Sequence, residues 1–105
     1  MGTRRELTPD EDLAPVVANH KTVFVEFHTE LCAPCAVQQT FVDEVMDDLD
    51  GLVVTVDVED HPEIASAHDL TTNPTLVVYE NGDIVDRLDG LPERAVFREF
   101  VSPWC

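Results

Sequence analysis

The chain has 105 residues, a length that allows one domain, and its apolar fraction of 44% suits a globular core. Six basic residues against 22 acidic ones leave a formal charge of −16. That balance excludes a broad nucleic-acid face, which needs Lys and Arg to neutralise phosphates, and argues against docking on an anionic membrane. Apolar runs are only a few residues long, so none is a candidate for a bilayer span.

The opening Met1-Gly2-Thr3-Arg4-Arg5-Glu6 has basic residues but no apolar run behind them, which is not the pattern of a signal peptide. The expected location is cytoplasmic. The acids are spread along the whole chain rather than gathered in a tail, and so read as a solvated coat on a folded body. Such a coat repels itself at low salt and is screened at high salt. This composition resembles that of proteins from salt-loving microbes with a salt-rich cytoplasm. An ordinary acidic cytosolic protein is the alternative, and melting at low and molar salt separates the two.

Thr8-Pro9-Asp10-Glu11-Asp12 predicts a helix start: a capping hydroxyl, a proline in the first turn, then acids facing the helix dipole. The helix should run to about Asn19, interrupted or kinked near Pro15. Thr22-Val23-Phe24-Val25-Glu26-Phe27-His28 is β-branched and aromatic, and its near-continuous apolar character predicts a central strand buried on both faces. Cys32-Ala33-Pro34-Cys35 opens a long helix to about Leu49, with Val37, Phe41, Val42, Val45, Met46 and Leu49 recurring at helical spacing and Asp50-Gly51 ending it. Leu52–Val58 is a second strand and Pro62–Leu70 a short helix. Thr75–Tyr79 and Ile84–Leu88 flank Asn81-Gly82, a dipeptide suited to the type I′ turn of a β-hairpin. Pro92–Val101 closes the chain as a helix with Ala95, Val96, Phe97, Phe100 and Val101 apolar.

This order, β-α-β, then a helix, then β-β-α, predicts an α/β fold. Its first two strands are parallel through a right-handed crossover, and its last two are antiparallel. The sheet is mixed, with at least four strands and helices on both faces.

The chemistry sits in Cys32-Ala33-Pro34-Cys35, at the junction of a buried strand and a helix. A thiol at a helix N-terminus faces unpaired backbone N–H groups and the positive end of the dipole. Both favour thiolate, the nucleophile of disulfide exchange. Two intervening residues let the second sulfur reach the first, so the second cysteine can resolve a mixed disulfide. Pro34 fits the first helical turn, where its missing N–H is not needed. The alternatives are a stabilising disulfide or half of a zinc site. Zinc usually takes four ligands in two spaced pairs. There is no second C-x-x-C, and His20, His28, His61 and His68 make no pair with Cys105 at usual spacing. The strand-then-helix context favours redox chemistry.

With these residues in place, the chain resembles the thioredoxin family. The likeness is carried by Val23–Cys35, by Asn73-Pro74-Thr75-Leu76 before the hairpin, by Asn81-Gly82 at its turn and by Gly90 after it, and covers the chain from about Val23 to the last helix. It implies the thioredoxin fold, a four- to five-stranded mixed sheet. The family's first strand would have only Glu6-Leu7-Thr8 to form from, and is expected to be short or absent. The resemblance implies Cys32 as the attacking thiol and Cys35 as the resolving thiol. Pro74 matches the family's cis-proline, which packs beside the disulfide and lets its neighbour's backbone pair with substrate; an ordinary trans proline starting an edge strand is the alternative. Glu26, six residues before Cys32, stands where the family usually has a buried aspartate. There its pKa would be raised by desolvation, and it would take the proton of Cys35; a strand glutamate reaching solvent is the alternative.

Several positions depart from the family's pattern. Leu31 replaces tryptophan before the first cysteine, His28 replaces an aromatic, Ala33 replaces glycine, Asn73 replaces an apolar residue, and Thr55 lies near the position of a lysine that often accompanies the buried acid. These changes gather around the groove that would meet substrate, so Leu31, Ala33, Pro34, Asn73 and Pro74 are the expected substrate-binding residues. His28 is either packed or a titrating group near the active site. Cys105 is a tail without a role, or else an intermolecular or third redox thiol.

The implied function is reduction of protein disulfides by a Cys32/Cys35 dithiol, with no metal or other cofactor, on the order of −270 mV as for thioredoxin. The expected partners are disulfide-bearing proteins and a thioredoxin reductase or other dithiol donor, and the expected state is a monomer. A protein disulfide oxidase or isomerase on the same fold is one rival, marked by a more oxidising potential. A non-catalytic adaptor is the other, and it would keep its partner after both cysteines became serine.

Overall fold

The computed structural model describes residues 2–105. In chain order they form β1 (Thr3–Glu6), α1 (Leu13–Ala18), β2 (Thr22–His28), α2 (Ala33–Val45), β3 (Leu52–Asp57), α3 (Pro62–Ala67), β4 (Thr75–Glu80), β5 (Asp83–Asp89), α4 (Arg94–Val101) and a 3₁₀ turn, Ser102–Trp104. The five strands make one mixed sheet in the order β1-β3-β2-β4-β5. Strand β3 runs parallel to both β1 and β2, β4 runs antiparallel to β2, and β5 runs antiparallel to β4. The α/β architecture with a five-stranded sheet is the one expected.

Strand β2 occupies the centre, and Thr22 to Phe27 are all buried. Its side chains alternate between two apolar layers. Val23, Val25 and Phe27 pack with Leu13, Val16 and Val17 of α1 and with Val54, Val56 and Val77 of the sheet, and Ile64 of α3 borders this layer. Phe24 points the other way, to Phe41, Val42 and Val45 of α2 and Phe97 and Val101 of α4. Helices thus cover both faces, α1 and α3 on one and α2 and α4 on the other.

Four local expectations are corrected. The first strand exists, and it lies earlier, at Thr3–Glu6, paired with Leu52–Thr55. All four of its residues are exposed, so backbone bonding to β3 holds this edge strand and no apolar pattern marks it. Helix α1 begins at Leu13, because residues 8–11 close a turn in which the Thr8 N–H donates to Glu11 Oε1 at 2.9 Å and the Glu11 N–H donates to the Thr8 carbonyl at 3.0 Å. Pro15 therefore falls in the first turn, where no N–H is required, and does not interrupt the helix. Helix α2 ends at Val45, ahead of Gly51. Gly51 serves instead a close approach: a Cβ there would lie 2.7 Å from the Phe24 ring and 2.9 Å from the Thr22 carbonyl oxygen. On α2, Val37 is 42% exposed while Gln38 is fully buried. At 100° per residue, Val37 lies roughly 100° round the helix from the centre of the stripe formed by Cys35, Gln38, Phe41, Val42 and Val45.

The hairpin matches its turn chemistry, with φ of 51° at Asn81 and 85° at Gly82. The closing segment folds back on the core. Trp104 packs edge-on against Phe24, its indole N–H donates to Glu80, and its carbonyl accepts from the Asp50 N–H at 2.7 Å.

Among the described residues, the ion pairs of Arg4, Arg5, Arg87, Arg94 and Arg98 engage four acids, Asp43, Glu11, Asp89 and Glu44. The other acids far outnumber the one remaining basic residue, Lys21. Screening of their repulsion should lift the melting temperature by roughly 5–10 °C when salt rises from about 0.05 M to about 1 M, as followed by circular dichroism; a flat profile contradicts this. Gly51→Ala should destabilise by about 1–3 kcal/mol in chemical denaturation, through overlap with Phe24 and Thr22.

Candidate active site

The carboxyl end of β2 delivers the chain to the amino end of α2, and Cys32 is the helix N-cap. Its backbone is extended (φ −135°, ψ 100°), its carbonyl accepts the Ala36 N–H at 3.2 Å, and its Sγ accepts the Cys35 N–H at 3.1 Å. Pro34 sits in the first turn, where its fixed φ suits the helix. Cys32 and Cys35 are joined by a disulfide across a Cα–Cα separation of 5.2 Å. The two sulfurs are not equivalent. Cys32 is partly exposed at the helix end, whereas Cys35 is 3% exposed. An outside reagent meets Cys32 first, and the backbone N–H aimed at its sulfur favours a thiolate there.

Glu26 is 1% exposed, on the same face of β2 as Phe24 and therefore in the layer beneath α2. Neither carboxyl oxygen has a protein hydrogen-bond partner. Burial raises its pKa to about 7, Arg4 acts against this and Asp43 adds to it. The solvent-reaching alternative does not hold. Thr55 is its direct neighbour on β3 and Leu76 its neighbour on β4, so no lysine stands beside it in the sheet.

The Asn73–Pro74 bond is cis and Pro74 is buried. Because β4 runs antiparallel to β2, with Thr75 opposite Phe27, this bond lies at the same end of the sheet as the loop leading to Cys32. The Gly90 N–H donates to the Pro74 carbonyl at 2.8 Å and ties the end of β5 to this corner. Leu31 is 99% exposed, Ala33 and Pro34 are exposed, and Asn73 is half-buried. Beside Asn73 runs a groove of about 340 Å³ lined by Val58, Pro62, Ala65, Leu70, Thr71 and Thr72.

His28 is half-buried and lines a cavity of about 360 Å³ with Arg4, Arg5, Glu6, Gln39 and Thr55. Cys105 lies at the opposite end of the sheet, beside the Asp50–Trp104 bond, and so cannot act as a third station for the Cys32–Cys35 pair within one molecule. Burial and the Asp48 charge push its thiol up. Among the described residues no group of three or more His, Cys, Asp or Glu side chains could hold a metal ion. Sequence reasoning passed over Gln38, one helical turn after Cys35 and fully buried; its i+3 spacing from Cys35 was the available signal.

Comparison with known proteins agrees with this geometry. The family model for thioredoxin matches residues 5–103. The mitochondrial thioredoxin of Bos taurus is 31% identical over 89 residues, 83% of this chain and 54% of the relative. The thioredoxin of Mycoplasma genitalium is 35% identical over 78 residues, 73% of this chain and 76% of the relative. The solved structure of reduced Schistosoma mansoni thioredoxin pre-protein superimposes with a TM-score of 0.86 at 26% identity, covering 100% of both chains. The chain spans about half the length of the mitochondrial relatives it matches.

The buried carboxyl has a consequence for stability. Native Glu26 keeps its proton up to about pH 7, while the unfolded carboxyl loses it near 4.5. Between these values the unfolded chain binds fewer protons, so this site removes stability as pH rises, and removes most above pH 7. Glu26→Gln should therefore be stabilising relative to the unchanged chain by about 2 kcal/mol more at pH 8.5 than at pH 5, measured by urea denaturation at high salt. An equal effect at both pH values contradicts a buried protonated acid.

Proposed function

This chain belongs to the thioredoxin family, and on that premise we propose that it is a dithiol–disulfide oxidoreductase that reduces disulfides in partner proteins. The observation that carries the reading is the Cys32–Cys35 disulfide at the amino end of α2, with one sulfur accessible and the other behind it. In the reduced protein, Cys32 thiolate attacks one sulfur of the partner's disulfide. The partner's S–S bond breaks, its other sulfur leaves as thiolate, and a mixed disulfide forms. Cys35 then gives its proton to the Glu26 carboxylate, and its sulfur attacks the Cys32 sulfur. The bond from Cys32 to the partner breaks and the partner leaves as a second thiolate. Two electrons have passed to the partner, and the protein is left with the Cys32–Cys35 disulfide.

An acid that titrates at about 7 suits the proton transfer, since it accepts and releases a proton near neutrality. A thioredoxin reductase or other dithiol donor returns the two electrons. The cysteines carry the electrons themselves, so no metal or cofactor is required. A monomer suffices, because Cys32, Cys35, Glu26 and Pro74 all come from one chain. The cytoplasm, which keeps dithiols reduced, suits this role, and the acid-rich surface fits a cytoplasm rich in salt. Exposed Leu31, half-buried Asn73 and the groove beside it support substrates that present an apolar side chain next to their disulfide.

Insulin-disulfide reduction driven by dithiothreitol at molar salt tests the reading. Turnover should be present in the native protein and vanish in Cys32→Ser, and Cys35→Ser should accumulate mixed disulfides with its partners. A folded protein without turnover overturns the general-reductase reading and leaves a narrow-specificity exchanger or an adaptor.

A further inference from the structure

Glu26 and Gln38 are both fully buried, and every polar atom of both side chains lacks a protein hydrogen-bond partner. Leaving such an atom unpaired carries its full desolvation penalty, and native interiors hold few of them. The two residues share one layer. Glu26 lies on the face of β2 that α2 covers, with Phe24, and Gln38 belongs to the buried stripe of α2 with Cys35, Phe41, Val42 and Val45. Among those five, Gln38 alone carries an amide, one turn after Cys35 on the same side of the helix.

The chemistry of the two groups is complementary. A primary amide has donors for a carboxylate and an acceptor for a protonated carboxylic acid. It can therefore partner Glu26 both before and after the proton of Cys35 arrives, which neither a hydrocarbon nor a cation can do. The other groups facing Glu26 do not fill this place: the Thr55 hydroxyl could donate and accept as an amide does, but Thr55 is fixed on β3 beside Glu26 rather than on the helix that carries Cys35. Arg4 and Glu6 come from the edge strand β1, and Arg4 is paired with Asp43 at 2.6 Å. His28 and Asp57 lie beyond it toward the strand ends, Leu76 is its neighbour on β4, and α4 buries only Phe97 and Val101.

We propose that Gln38 is a positioning residue for disulfide exchange: in the reduced and mixed-disulfide forms its amide holds the Glu26 carboxyl toward the Cys35 thiol. The inference rests on the dithiol-exchange reading of Cys35 and Glu26. The step it serves is the one in which the Cys35 S–H proton passes to the Glu26 carboxylate, the Cys35 sulfur bonds to Cys32, and the partner leaves as thiolate.

The test follows the reduced protein, in a Cys105→Ser background, as it reacts with an aromatic disulfide whose released thiol absorbs. Attack by Cys32 and resolution by Cys35 appear as two phases. Gln38→Met should slow the second phase relative to the first by about tenfold at neutral pH and move its pH midpoint up by about one pH unit, the effect of losing one hydrogen bond to a charged group. The melting temperature of the disulfide form, in which the amide has no partner, should hold or rise; a merely structural role lowers it and leaves the pH midpoint in place. On a Glu26→Gln background, Gln38→Met should add nothing. Gln38→Leu serves if the methionine variant does not fold. A Glu26→Gln variant that slows the second phase, with a Gln38→Met variant that does not, overturns the proposal while the exchange reading stands. A Glu26→Gln variant with no effect on that phase removes the proton-transfer reading itself, and the proposal with it.

Discussion

Strand β2 is hydrogen-bonded along both edges and covered on both faces, and most of the molecule is arranged around that requirement. A strand with β3 on one side and β4 on the other has no free backbone groups, so its side chains can be apolar in both directions. Val23, Val25 and Phe27 need one helical layer and Phe24 needs another. The crossover through α2 supplies the second, and it also sets where the chain turns. The turn falls after His28, so the helix begins at Cys32. The redox pair is therefore held between a rigid strand and the first turn of a helix packed on that strand, rather than on a free loop.

The same constraint gives Glu26 and Gln38 their character. A carboxyl in a central strand has no route to water along its own strand, so it is protonated through the range where other glutamates are charged. In a protein with 22 acidic residues, this carboxyl has its pKa raised to about 7, and the chief cause is burial rather than the surrounding charge. Its position lowers stability above neutrality and at the same time provides a proton acceptor near the working pH of a thiol. An unpaired amide on the facing helix fits the same trade of stability against chemistry.

The surface obeys different rules. Each arginine finds an acid, but exposed ion pairs contribute little each, and they leave most carboxylates without a counterpart. The charge acts as a field over the whole body, softened by salt, while the interior keeps an ordinary apolar organisation. Leu31 stands fully exposed beside Cys32 in this acidic setting. An apolar contact next to the reactive sulfur is less sensitive to salt than a charged one.

The amino-acid sequence by itself determined the strands β2 to β5, the hairpin turn at Asn81-Gly82, the helix opening at Cys32 and the reactive pair, because each has a local cause: β-branched runs, residues that accept positive φ, and two thiols at a helix start. It did not reveal β1, whose four exposed residues are held by backbone bonding to a strand nearly fifty positions away, nor the late start of α1, which depends on a turn closed by Glu11. Nor did it reveal the exchange of Val37 for Gln38 on the buried side of α2. Hydrophobicity ranks valine inside and glutamine outside, but a helix has one rotation. Cys35, Phe41, Val42 and Val45 set that rotation together against the sheet, and only the packed structure decided that an amide would face the buried carboxyl's layer.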